Sequence, residues 1–168
     1  MRKKPDASRT IQERVATTHV QSLNPDIDAM AAISNVFRVS VLFRNQAEKR
    51  FLLQHNLTFS GFTLLWVLWV FGKMETHQLA QECGISKGTL TGIVSTLEKR
   101  GFAIRERHET DGRRKRVALT ASGNRLMKKL FMEINTLEKE FVGGLSATEV
   151  TEMSRLLRIV LHSQDKPA

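Results

Sequence analysis

The sequence predicts a mainly α-helical protein with a two-stranded β wing: a winged helix-turn-helix with N- and C-terminal helices forming a dimerisation layer. Three observations carry that expectation. Apolar residues recur at spacings of three and four along most of the chain, the signature of helices with one buried face. Strand-like alternation is confined to 102–119 and is interrupted by Asp111-Gly112, a hairpin turn signal. Finally, a short helix, a glycine turn and a second helix stand immediately before that hairpin, the order of a helix-turn-helix with its wing.

Each element has its own justification. Residues 1–26 are polar and basic, and read as a flexible extension or one short helix over about 9–22, with Ile11, Val15 and Thr18 along one side. Residues 27–57 read as the first dimerisation helix, which Asp26 or Asp28 can cap. Met30, Ile33, Phe37 and Val41 form one stripe, and Val36, Val39 and Phe43 form another. A helix facing a single core needs one stripe. Two stripes fit burial within the subunit and against another copy, or a central helix in a monomeric core.

Residues 58–119 read as the DNA-binding lobe. A helix from Thr58 or Ser60 to Gly72 carries Phe62, Leu65, Trp66, Leu68 and Trp69. A short helix over 75–83 follows, with Leu79 and Ala80 facing inward. Gly84 permits a sharp turn, Ile85 plugs the gap, and Ser86 caps the next helix. Leu90, Ile93, Val94 and Leu97 are that helix's inward stripe. In the wing, Phe102 and Ile104 are expected to point inward, and Arg105 and Arg107 outward. Residues 120–168 read as the C-terminal dimerisation helices. Thr120 caps a helix bearing Leu126, Leu130, Ile134, Leu137 and Phe141, and Gly143-Gly144 ends it. Ser146 and Glu149 make a capping box for the last helix. Its Val150, Met153, Leu157 and Val160 join Met30, Ile33 and Phe37 as candidate dimerisation residues.

Charge narrows the function. The 168-residue chain carries a formal net charge of +9. Twelve basic residues lie between Ser86 and Lys129 against four acidic ones, which leaves +8 there, nearly the whole excess. So concentrated a patch fits a polyanionic partner. The outward side of the helix after Ser86 presents Lys87, Gly88, Thr89, Thr91, Gly92 and Ser95, which with Ser86 are candidate DNA contacts. Glycine inside a helix costs about 1 kcal/mol relative to alanine. Gly88 and Gly92 therefore imply either close approach by a partner or relief of crowding against a neighbouring helix. The cationic run Arg113, Arg114, Lys115 and Arg116 at the hairpin suits a narrow, strongly negative minor groove. Asp111, the lone acid there, can orient Arg113 through a charge-assisted hydrogen bond or serve as the turn residue.

The stretch Leu79-Ala…Gly84-Ile-Ser-Lys-Gly-Thr-Leu-Thr…Leu97-Glu-Lys-Arg-Gly101, followed by Asp111-Gly-Arg113…Arg116-Val-Ala-Leu-Thr120…Gly123, resembles the MarR family of bacterial regulators. The likeness covers about residues 27–163. It implies a homodimer built from the first and last helices, Arg113 in the minor groove with Asp111 orienting it, and the helix after Ser86 reading the major groove. It also implies repression relieved by a small phenolic or lipophilic ligand, or by cysteine oxidation. Phe62, Trp66 and Trp69 are candidate walls of such an effector pocket, although a simple core would employ the same residues. Two departures from the family stand out. Cys83 lies in the helix-turn-helix and the chain has no tyrosine, unlike peroxide-sensing members, so Cys83 reads as a packed residue. His19, His55, His77, His108 and His162 show no metal-ligand spacing.

Other classes find no support. The single cysteine excludes an internal disulfide and a Cys-rich zinc site, and fits a cytoplasmic location. The basic start lacks the apolar run of a signal peptide. The most apolar stretch, 62–71, is about half a bilayer span, so no membrane partner is expected. No nucleophile stands beside a base and no glycine loop could cradle phosphate, which argues against an enzyme or a cofactor. The expected function is a homodimeric, sequence-specific regulator, a repressor on pseudo-palindromic double-stranded DNA, released by a small aromatic or lipophilic effector. The competing expectation is an architectural DNA binder with low sequence preference and no effector.

Overall fold

A computed structural model describes residues 8–107 and 115–164. In chain order these form α1 (Ile11–Val20), α2 (Ile27–Ala47), α3 (Phe59–Phe71), β1 (Met74–Glu75), α4 (Thr76–Glu82), α5 (Lys87–Lys99), β2 (Ala103–Arg107), β3 (Lys115–Leu119), α6 (Ala121–Phe141) and α7 (Ala147–Gln164). The chain divides into two compact units, 1–41 with 137–168, and 42–136.

The 42–136 unit holds the larger core. Its centre is α3, whose sequence is apolar on every side and which therefore must be enclosed. Phe62, Leu64, Leu65, Val67 and Leu68 are all buried. Thr58 caps α3 by accepting from the Gly61 amide (3.2 Å), and the Glu48 carboxylate accepts from the Phe59 amide (2.6 Å). Trp66 stacks on Phe131 of α6 at 5.5 Å, and Trp69 lies 5.7 Å from the same ring and 5.6 Å from Trp66. Among the described residues, no single helix is long and apolar enough to cross a membrane.

The sheet has three strands in the order β1-β3-β2, all antiparallel. The sequence reading missed β1, because two residues are too few to show alternation. The register of β2 also differs from expectation. Ala103 is buried to 1% exposure, whereas Ile104 is 43% exposed and pairs with Ala118. The strand begins one residue after Phe102, so its inward positions are Ala103 and Arg105. The small Ala103 gave no hydrophobic signal, and the larger Ile104 gave a misleading one.

Behind the sheet, Thr120 and Gly123 join the wing to α6. The Thr120 hydroxyl donates to the Gly101 carbonyl (2.6 Å) and accepts from the Gly123 amide (3.0 Å), while the Thr120 amide donates to the Phe102 carbonyl (3.1 Å). A β-carbon on Gly123 would overlap the Phe102 carbonyl oxygen. The spacing of threonine and glycine in the Leu119-Thr120-x-x-Gly123 motif thus has a packing cause. From Gly123 the buried stripe of α6 runs through Met127, Leu130 and Ile134.

In the other unit, α1 is a defined helix tied to α2 by polar contacts. Thr10 and Glu13 form a capping box, and Glu13 also accepts from the Asn35 side-chain amide (3.0 Å). Arg38 donates to the Thr10 hydroxyl and to Gln12, both at 3.1 Å, and Arg9 pairs with Asp28 at 2.9 Å. Ser146 and Glu149 close the expected capping box on α7. Apolar side chains here face outward: Ile33, Val36, Phe37 and Val39 on α2, and Met153, Leu156, Ile159, Val160 and Leu161 on α7.

Two outcomes are expected. Gly123→Ala should lower unfolding stability by about 1–3 kcal/mol, because the Phe102 carbonyl cannot move without breaking the wing junction; chemical denaturation would measure it. The second concerns acid. Bonds from the Thr10 amide, then from the Thr10 hydroxyl and Asn35, with Arg38 nearby, hold the Glu13 carboxyl below its ordinary 4.5. Its contribution to seating α1 is therefore full above about pH 4.5 and fades as pH falls through the lowered native value. Protection factors over 11–20, taken relative to the intrinsic exchange rate at each pH, should fall on acidification in the native protein and change far less with pH in Glu13→Gln.

Candidate nucleic-acid interface

The helix-turn-helix is built by α4 and α5. At the end of α4 the Cys83, Gly84 and Ile85 amides donate to the Leu79, Gln81 and Ala80 carbonyls, each at 3.0 Å. Gly84 has φ +63, a left-handed conformation that favours glycine. Ser86 then caps α5 by accepting from the Thr89 amide (3.1 Å), and the two hydroxyls are 2.9 Å apart. Leu90, Val94 and Leu97 are buried to 1% exposure or less, and Leu79 and Ala80 face them from α4. Burial of each such side chain stabilises by roughly 1.5–3 kcal/mol, ample to fix the rotation of α5 about its axis.

That rotation decides what the opposite side displays. Ser86, Lys87, Gly88, Thr89, Thr91 and Gly92 are exposed, and Ser95 is half-buried. A β-carbon on Gly92 would meet nothing within 4 Å, and one on Gly88 only the Ser86 hydroxyl at 3.9 Å. Among the described residues, neither glycine relieves crowding. Of the two readings of these residues, relief of crowding finds no neighbour among the described residues. The Thr91 hydroxyl donates to the Lys87 carbonyl at 2.9 Å, which leaves its oxygen lone pairs facing outward as acceptors. Lys87, Thr91, Arg105 and Lys115 line a shallow cleft of about 400 Å³ between α5 and the strands. Two lysines, Lys87 and Lys115, on this one depression beside a helix N-terminus favour an anion.

The wing is described only at its base. Asp111, Arg113 and Arg114, the expected tip residues, lie outside the described residues. Arg116 is half-buried on the central strand β3, in register with Glu75 on β1 and Glu106 on β2. Arg105 does not project outward as expected. It turns back onto α5 and bonds Glu98. The alternation rule failed here together with the β2 register, since a one-residue shift exchanges the two faces.

Phe62, Trp66 and Trp69 all lie on α3. Phe62 is buried beside Phe59 (5.8 Å), and the two tryptophans are half-buried against Phe131. Sequence reading missed Phe131 as their partner, because α6 offered a stripe made of other residues. Of the candidate dimerisation residues, Ile33, Phe37, Met153 and Val160 are exposed, while Met30, Val150 and Leu157 are half-buried. Leu156 and Ile159 extend the exposed face and were not singled out from the sequence. Burial first, and then the neighbouring Glu82, push the Cys83 thiol above its ordinary value, which suppresses the nucleophilic thiolate. Among the described residues, no three His, Cys, Asp or Glu side chains converge as a metal site.

The MarR family pattern matches residues 57–115. The HTH-type transcriptional regulator YwaE of Bacillus subtilis is 33% identical over 141 residues, 84% of this chain and 81% of YwaE. The chain belongs to the MarR family. It is a DNA-binding transcriptional regulator of the winged helix-turn-helix type, not an enzyme. Among solved structures, the Staphylococcus aureus MepR–DNA complex matches with a TM-score of 0.69 at 25% identity, over 77% of this chain and 96% of MepR. Bordetella bronchiseptica BpsR, whose DNA binding is regulated by 6-hydroxynicotinic acid, matches with a TM-score of 0.68 at 20% identity, over 77% of this chain and 98% of BpsR. For this MarR-family chain, the second likeness speaks to the fold alone.

Proposed function

We propose that this MarR-family protein is a homodimeric repressor that reads a pseudo-palindromic operator and is released by a small aromatic or lipophilic effector. The observation that carries the reading is the exposed pole of α5. Two glycines four residues apart cost helix stability, relieve no crowding among the described residues, and lie beside Lys87, Thr89 and Thr91. Close passage of a groove wall accounts for all of these. In this reading α5 enters the major groove, with Ser86, Lys87, Gly88, Thr89, Thr91, Gly92 and Ser95 at its surface. Arg113 and Arg114 then reach the minor groove from the wing, with Asp111 orienting Arg113 and Arg116 at the wing root.

The second copy is inferred from the outward apolar faces of α2 and α7. Phe37 is 69% and Leu161 65% exposed in the single chain, and large apolar side chains repeated along each helix in this way suit burial against a partner. A two-fold dimer sets its recognition helices about one helical turn of DNA apart. Support for the effector comes from BpsR and from the half-buried Trp66–Trp69–Phe131 group, whose flat faces suit an aromatic acid.

One substitution separates this reading from a purely structural role for the α5 surface. Gly92→Ala has room for its methyl group and should raise unfolding stability by up to about 1 kcal/mol. The same change should weaken operator binding at least tenfold, as should Arg113→Ala without the gain in stability. Gel-shift titration against operator and random duplex at fixed salt, with the chain count per complex taken from sedimentation, reads all of this. Equal affinity for both duplexes would make the protein an architectural binder. Failure of every aromatic acid tried to release the operator would remove the effector.

A further inference from the structure

Arg105 sits on β2 with its side chain turned to the flank of α5. Its guanidinium makes three contacts along that helix. One nitrogen pairs with the Glu98 carboxylate at 2.5 Å, and another donates to the Thr91 carbonyl at 3.1 Å and to the Ser95 hydroxyl at 3.2 Å. Thr91, Ser95 and Glu98 are spaced i, i+4 and i+7, so a single planar fork spans two turns of one helix face. The pair is shielded, with side-chain exposures of 24% for Arg105 and 27% for Glu98. Lysine, a point donor on a flexible stem, could not reproduce this arrangement.

The helix gripped here is the one read above as entering the major groove. Its core stripe, Leu90, Val94 and Leu97, fixes rotation about the axis but is made of slippery aliphatic contacts, which tolerate small slides along it. The Arg105 fork is directional. It ties both the backbone at Thr91 and the side chains at Ser95 and Glu98 to the strand that leads into the wing. We propose that Arg105 and Glu98 are positioning residues for sequence reading: together they lock α5 to the base of the wing, so that the two DNA-reading elements hold one fixed spacing. Arg105 is thereby removed from the set of cations that touch phosphate. This rests on the operator-reading function proposed above.

The two roles open to Arg105 predict opposite behaviour on removing its partner. If Arg105 were a phosphate contact restrained by an acid, Glu98→Ala would free it, and affinity would rise for operator and random duplex alike. If it is a brace, Glu98→Ala and Arg105→Met should each reduce operator-over-random discrimination roughly tenfold, the size of one lost base contact. The double variant should then be little worse than either single one. The slope of log affinity against log salt is a second readout. A lost phosphate contact lowers it by about one, whereas loss of a brace leaves it unchanged.

The experiment is a salt-series titration of the full chain and these variants on both duplexes, with thermal melts alongside. Should Arg105→Met fail to fold, Glu98→Ala carries the test alone. Wild-type protein that does not distinguish operator from random duplex would overturn the function proposed above. Wild-type protein that discriminates, with Glu98→Ala discriminating equally well or binding both duplexes more tightly, would overturn the brace.

Discussion

Burial of Leu90, Val94 and Leu97 against the α3–α4 core is the constraint from which the DNA-reading surface follows. A helix with one strong apolar stripe has no freedom to roll, since any rotation would expose aliphatic area worth several kcal/mol. Once that stripe is seated, the identity of every outward residue is settled. The glycines, threonines and Lys87 arrive at the exposed pole because they alternate with the buried leucines at the helical period. The caps then set where this surface begins. Ser86 starts α5 at the turn made by Gly84, so the first exposed turn of the helix is also its positive end.

Elements whose signals are local and chemically specific were legible in the sequence. Capping at Ser86, Thr120 and Ser146 depends on a hydroxyl meeting an amide three residues on, which a sequence displays directly. The buried face of α5 was equally plain. Where legibility failed, the cause was a residue whose size and burial disagree. Ala103 is small yet fully enclosed, and Ile104 is large yet exposed, so alternation chose the wrong face of β2 and sent Arg105 the wrong way. Strand β1 went unseen because it exists only through its pairing with β3, a contact some forty residues away in the chain. The Arg105–Glu98 pair was hidden for the same reason, as charge counting treats every arginine in a basic stretch as equivalent.

The wing junction shows how a short motif can be a packing rule. Thr120 closes the strand ladder and opens a helix with one side chain, bonding backward to Gly101 and forward to Gly123. Gly123 must be bare because the Phe102 carbonyl occupies the space of its β-carbon. The wing and α6 are therefore one mechanical piece at this point. The extension at the other end of the sequence is ordered by different means. Helix α1 has no buried residue and is held to α2 by hydrogen bonds, with the Arg9–Asp28 ion pair just before it, an attachment that acid and salt can weaken while the aliphatic core stays intact.

The aromatic group on α3 and α6 has an optical consequence. Trp66 and Trp69 are the chain's two tryptophans, and it contains no tyrosine. Ultraviolet emission from the whole protein therefore originates within a few ångströms of Phe131, at a half-buried spot where indole colour depends on local polarity. The molecule thus carries its own label, placed by nature at a single address, and whatever settles beside those rings announces itself without a dye.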